Sequence, residues 1–156
     1  MSGVTHDQAN LMLRLYELRR EPRLREARGW FVAKFSAGSV EEIAKKYPAG
    51  SAENTSFRMV TSYWDMACGL LNRGLMDDEL FFENNTEFWI VWQKLKALTP
   101  SARATYNNPR LYHHMESAAA RIETWWQRTM PGYLETQTKR MAAMFEQLAK
   151  STPNPS

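Results

Sequence analysis

Three features of the 156-residue sequence predict an all-α fold: helical spacing of the apolar residues, few turn formers, and no long stretch alternating with period two. Glycine and proline number seven each, too few for a turn-rich β fold. The apolar fraction of 44% suits a packed core, and a chain of this length buries roughly 68–70% of its unfolded surface. We expect a single helical domain over residues 1–150, built as an irregular or orthogonal bundle of six or seven helices, with a frayed tail at 151–156.

The elements follow in order. Leu11, Leu15 and Leu18 recur at four and three and place one apolar stripe on a first helix. Pro22 lacks an N–H and disfavours α geometry at Glu21, so a kink or a new helix begins there. Leu24, Ala27, Trp30, Phe31 and Phe35 continue the stripe. Ser39 and Glu42 have the spacing of a capping box, opening a short helix with Val40, Ile43, Ala44 and Tyr47 that Pro48 and Gly50 end. A long helix is predicted from near Asn54 to Arg73, with Phe57, Val60, Trp64, Ala67 and Leu71 on one face and Gly74 as its C′ residue. Asp77 caps a turn of helix running through Phe82. Thr86 caps a helix carrying Phe88, Val91, Trp92 and Leu95, which stops before Pro100. Asn107-Asn108-Pro109 reads as a cap with proline at the first helical position, so a further helix starts near Arg110. Its stripe is Leu111, Met115, Ala118, Ile122 and Trp125, broken by Met130-Pro131-Gly132. A last helix uses Leu134, Met141, Phe145 and Leu148.

No familiar catalytic constellation is present. A single cysteine excludes an internal disulfide framework and a multi-cysteine zinc site, and Cys68 in an apolar mid-helix setting is expected to be inert. His113 and His114 are adjacent, so on a helix they point about 100° apart, and His113 with Glu116 reverses the Glu-x-x-His order of di-iron bundles. Neither a metal nor a cofactor is expected. Gly-x-Ser-x-Gly and a glycine-rich phosphate loop are both missing, and a helix start explains Asp77-Asp78-Glu79. No run approaches 18 apolar residues and the start does not read as a secretory signal, so the expected setting is cytoplasmic, without membrane insertion.

The net charge of +3 is unevenly spread. Residues 1–35 carry seven bases and four acids, whereas residues 74–92 carry five acids and no base. The two segments are expected to meet, either within one chain or across a dimer. Acids interleave the arginines of residues 19–28, with Glu21–Arg25 and Arg23–Glu26 at helical spacing. That pattern favours a solvated, salt-bridged face over a nucleic-acid surface, which needs uncompensated cations.

Aromatic residues are the most suggestive feature. Trp64, Trp92 and Trp125 fall on core stripes, but Tyr63, Trp89 and Trp126 lie off them. Such rings pack on a second neighbour, line a groove, or anchor a partner. The candidate binding residues are therefore Tyr63, Asp65, Trp89, Trp126, Arg19 and Arg23; none is assigned a catalytic role. The first reading is a non-enzymatic protein-interaction module, with a protein partner or a second copy of the chain. The alternative is a small-molecule sensor or enzyme with an interhelical pocket, its polar groups drawn from Asp65, Arg58 or His113.

Several strings occur together: Leu15-Tyr16-Glu17-Leu18-Arg19-Arg20-Glu21, Tyr63-Trp64, Gly69-Leu70-Leu71-Asn72-Arg73-Gly74-Leu75-Met76-Asp77, Trp92-Gln93-Lys94-Leu95, and Arg103 before Tyr112. Over residues 11–125 the chain resembles a bacterial family of helical proteins classed only as a domain of unknown function. The resemblance implies an all-α fold and a bacterial cytoplasmic setting, and transfers no catalytic residue.

Overall fold

The structure, a computed structural model, describes residues 3–151. Of the tail expected at 151–156, Ser151 closes the last helix and the rest lies outside the described residues. Among the described residues there are nine helices and no strand, rather than six or seven helices. They are α1 (His6–Arg19), α2 (Pro22–Lys34), α3 (Val40–Lys46), α4 (Ala52–Asn72), α5 (Asp78–Asn84), α6 (Glu87–Leu95), α7 (Thr99–Thr105), α8 (His113–Thr129) and α9 (Tyr133–Ser151).

Two prolines account for the higher number. Pro22 begins a new helix rather than kinking an old one, and the Glu21 carboxylate caps it by accepting from the Leu24 N–H at 2.9 Å. Glu21 is thus a cap rather than the expected ion-pair partner of Arg25. Pro100 does not simply end α6. It lies in the first turn of α7, where a missing N–H has no cost.

Local chemistry sets most other boundaries as the sequence predicts. Ser39 and Asp77 cap α3 and α5 as expected, each accepting from an N–H three residues on. Ser51, which the sequence reading does not single out, does the same for α4, which begins at Ala52 rather than near Asn54. In the Ser39 box, Glu42 accepts from Gly38 N rather than from the cap residue itself. Thr86 occupies the N-cap of α6 but makes no side-chain capping bond. Gly74 has φ +76° and closes α4: Gly74 N donates to Leu71 O at 2.9 Å and Leu75 N to Leu70 O at 3.2 Å. Those two bonds make a Schellman motif.

Contacts divide the chain into two compact units, Met1–Ala119 and Ala120–Ser156. In the first, α4 is the spine, and α2 packs along it. Phe31 of α2 and Phe35 at its C-cap stack on each other at 4.5 Å, and Phe35 stacks on Phe57 of α4 at 5.1 Å. A second ring cluster joins Trp64 to Phe88, and Phe88 to Phe81 and Phe82. Cys68 is buried in this core. Leu18 departs from its expected stripe and is 41% exposed; the inward face of α1 is Met12 and Leu15.

Polar groups tie these helices together at one place. Glu87, at the start of α6, accepts from Arg28 Nε at 2.8 Å, Arg28 Nη2 at 2.9 Å and Trp64 Nε1 at 3.2 Å. Arg28 Nη1 donates to Arg19 O at 3.0 Å. The Arg19 guanidinium lies 5.6 Å from the Trp64 ring centroid and donates to the side-chain oxygen of buried Asn85. Tyr63 OH donates to Leu15 O at 2.7 Å, and burial pushes its pKa up to about 12. The basic N-terminal helices therefore meet the acidic segment within one chain. The hydrogen bond to Glu87 raises the Arg28 pKa above its usual value.

In the second unit, Met130-Pro131-Gly132 breaks the helix as expected, with Gly132 at φ +88°. The Trp126 ring meets Tyr133 edge-on at 5.1 Å. Leu134, Met141, Phe145 and Leu148 of α9 are half-buried.

Arg28→Met should cost about 1–3 kcal/mol, because it strips the charged donors from a partly buried carboxylate. Arg23→Ala, at an exposed position, should stay within about 0.5 kcal/mol. Urea unfolding of both variants measures the contrast.

Lys94 supplies a pH signature. Its Nζ donates to Phe31 O and Val32 O, both at 2.8 Å, and burial lowers its pKa from 10.5 to about 8. A neutral amine keeps two N–H groups, so it can still serve both carbonyls. Because the folded value lies below the unfolded one, the unfolded chain holds the extra proton between them. Lys94's contribution to stability therefore rises with pH from about 8 towards 10.5. Tyr63 acts in the opposite sense, but only above about 10, where unfolded phenols ionise first. Urea midpoints between about pH 8 and 10 should climb more steeply for the parent chain than for Lys94→Met; equal slopes would refute the assignment.

Candidate functional site

The six residues picked from sequence divide sharply. Tyr63, Trp89 and Trp126 are 7%, 3% and 1% exposed, so none is a surface anchor. Trp126 and Trp125 exchange their expected roles: Met115, Ala119, Ile122 and Trp126 form the inward stripe of α8, and Trp125 is half-buried. Trp89 is buried beside Phe88 because α6 buries two adjacent faces: Phe88, Trp89, Val91, Trp92 and Leu95 are all inside. Arg19 belongs to the Glu87–Asn85 network, and Arg23 is exposed on α2. Asp65 remains, and it lines a groove.

This groove encloses about 740 Å³ along the outward face of α4. Its floor is Thr55, Arg58, Met59, Ser62, Asp65 and Met66, with Thr61 beside them. Those positions recur at three and four, so one helix face presents them in a row. The opposite wall is Leu111 and Tyr112, from the turn before α8. The groove opens to solvent along its length, for Thr55, Arg58, Ser62 and Met66 are all exposed, Met66 by 46%.

The far wall depends on an unusual turn. The helix expected from Arg110 does not start there, because Tyr112 takes φ +59° and α8 begins only at His113. Asn107, at φ +49°, opens the same turn. Asparagine visits this left-handed region readily, but a tyrosine there marks a backbone held by its surroundings. Arg103 holds it: Nε donates to Leu111 O at 3.0 Å, and Nη2 pairs with Glu116 at 3.2 Å. Tyr112 is half-buried, and burial raises its pKa.

Asp65 does two things. Its Oδ1 accepts from Met115 N at 3.1 Å, capping the third residue of α8 from a different helix. Its carboxylate also lines the groove. Arg58 lines the groove as well, whereas His113 is an exposed residue outside its lining. Glycine at position 69 lets α8 approach α4, since a Cβ there would sit 3.2 Å from the His114 ring. The lining thus sets one guanidinium, one carboxylate and several hydroxyls beside Met59, Met66 and Leu111.

Fold and groove together define an all-helical domain with an open, methionine-lined channel on its central helix. Residues 4–122 match the family described as Domain of unknown function (DUF4760), and the chain belongs to that family. No curated protein matches the chain, and no solved structure does. No helix of the described residues is long and apolar enough to cross a membrane.

Asp65→Ala removes the cap on Met115 and should cost about 0.5–2 kcal/mol, whereas Asp65→Asn keeps an acceptor and should retain most of that stability. Thermal or urea unfolding distinguishes the two.

Proposed function

We propose that this protein is a non-enzymatic interaction module that holds a segment of a partner protein in the α4 groove. The observation that carries this reading is the groove itself, a row of side chains at helical spacing with two methionines, open along its length. Methionine adapts its shape to a bound surface and recurs where proteins accept peptide segments. A small-molecule sensor is the second reading, favoured by a volume within the range of ligand sites. Against it stands exposure. Small-molecule sites cover about 70–90% or more of their ligand, and four of the lining side chains here face solvent.

The test is a photo-crosslinking side chain at Met66, with the same group at exposed Glu53 as control. A protein adduct of discrete mass should form in cells from position 66 and not from 53, and Ser62→Trp, which fills the groove, should abolish it. Identical adducts from both positions, or none from position 66, would overturn the proposal. The adduct mass also separates a second copy of this chain from a different protein.

A further inference from the structure

The charges and hydroxyl groups of the α4 groove specify what kind of segment it takes. Arg58 and Asp65 stand seven residues apart, two turns of α4, which at about 1.5 Å per residue is roughly 10 Å. The groove therefore has a cationic end and an anionic end, with Met59, Met66, Leu111 and Tyr112 supplying apolar surface. The hydroxyls are oriented by the helix. Thr55 donates to Ser51 O at 3.2 Å, Thr61 to Phe57 O at 2.9 Å and Ser62 to Arg58 O at 2.6 Å. Thr61 is buried, but Thr55 and Ser62 are exposed, and with their protons turned back into the α4 backbone their oxygens offer lone pairs to a ligand. Asp65 is likewise an acceptor, so Arg58 is the donor that faces a larger set of acceptors.

A partner segment must therefore bring N–H donors. A helical segment satisfies its backbone N–H groups internally, whereas a polyproline-II-like segment leaves them open. That conformation has three residues per turn and rises about 3.1 Å per residue, so residues i and i+3 lie on one side about 9 Å apart. This matches the span from Arg58 to Asp65.

We infer that the groove takes an extended, non-proline peptide segment of the pattern acid-x-x-base, with apolar residues at x. The acid meets Arg58, the base meets Asp65, and backbone N–H groups donate to Thr55 and Ser62. This inference rests on the interaction-module reading and adds the chemistry of the partner.

The probes are end-capped, fluorescein-labelled hexapeptides containing Asp-Leu-Leu-Lys in both chain directions, titrated by anisotropy. Analogues carry Gln in place of the acid, the base or both. On the full chain, a charged-pair peptide should bind about tenfold or more tighter than its doubly neutral analogue. Arg58→Glu should remove the advantage of the acid and favour Lys-Leu-Leu-Lys over Asp-Leu-Leu-Lys. Asp65→Asn, which retains the acceptor for Met115, should remove only the advantage of the base. Equal binding of charged and neutral peptides, or an advantage that survives both substitutions, overturns the inference. If that happens while the position-66 adduct still forms, the module reading stands and this pattern alone falls. If no adduct forms either, both fall.

Discussion

The fold hangs on one carboxylate. Glu87 receives two hydrogen bonds from Arg28 and one from Trp64, joining α2, α4 and α6 at a single point. Arg28 passes the connection to the last carbonyl of α1, and Arg19 carries it to Asn85 between α5 and α6. Ion pairs this close to the core give a small net return, because desolvating both charges offsets most of the attraction. Their value lies in what they forbid. Rotating α2 about its axis would take both Arg28 donors from Glu87 and leave the guanidinium without its carboxylate, a loss of about 1–3 kcal/mol. Aromatic stacking between α2 and α4 is tolerant of small slides; the Glu87 fork is not. The described residues agree with that economy, since no buried side-chain nitrogen or oxygen among them lacks a partner.

Fixing α4 on its inner face leaves its outer face available. The inward side carries Phe57, Val60, Trp64, Ala67 and Leu71, and the outward side carries Arg58, Ser62, Asp65 and Met66. A helix of 21 residues is long enough for both tasks without trading one against the other. Asp65 couples them, because the same carboxylate that lines the groove holds the start of α8. The groove's far wall is therefore positioned from its own floor. Arg103 supplies the second support, through Leu111 and Glu116, and together they stabilise the left-handed backbone at Tyr112.

Much of this was legible wherever the signal is local. Ser39, Asp77 and Gly74 act through bonds to residues within a few positions, so a cap can be read without knowing the fold. The segregation of base and acid between the N-terminal helices and residues 74–92 also foreshadowed Arg28–Glu87, although the sequence left open whether one chain or two would make it. Phase was less secure. Trp125 and Trp126 differ by 100° on a helix and lie three and four residues beyond Ile122, so both fit a stripe through Met115, Ala118 and Ile122, which are all buried, and spacing alone does not choose between them. Trp89 was misplaced for a different reason: short α6 lies between neighbours on two sides, and a single-stripe reading allows for one.

The groove was half legible for the same physical cause. Arg58 and Asp65 are two of the three polar groups the sequence offers for an interhelical pocket, and both line the groove, whereas the third, His113, does not. Leu111 and Tyr112 carry no such mark, because their part depends on a turn some fifty residues away in sequence folding over α4. The positive φ at Tyr112 is a tertiary effect: no local preference of tyrosine selects it, and the bonds from Arg103 and the packing on Thr61 impose it. A wall held by side-chain bonds rather than by its own backbone preference can present a fixed shape to a partner without itself being a regular element. That arrangement suits recognition, where a preorganised surface loses less entropy on binding. Under the proposed function the mechanics of the fold serve that role, since α4 packs by one face and presents the groove on the other.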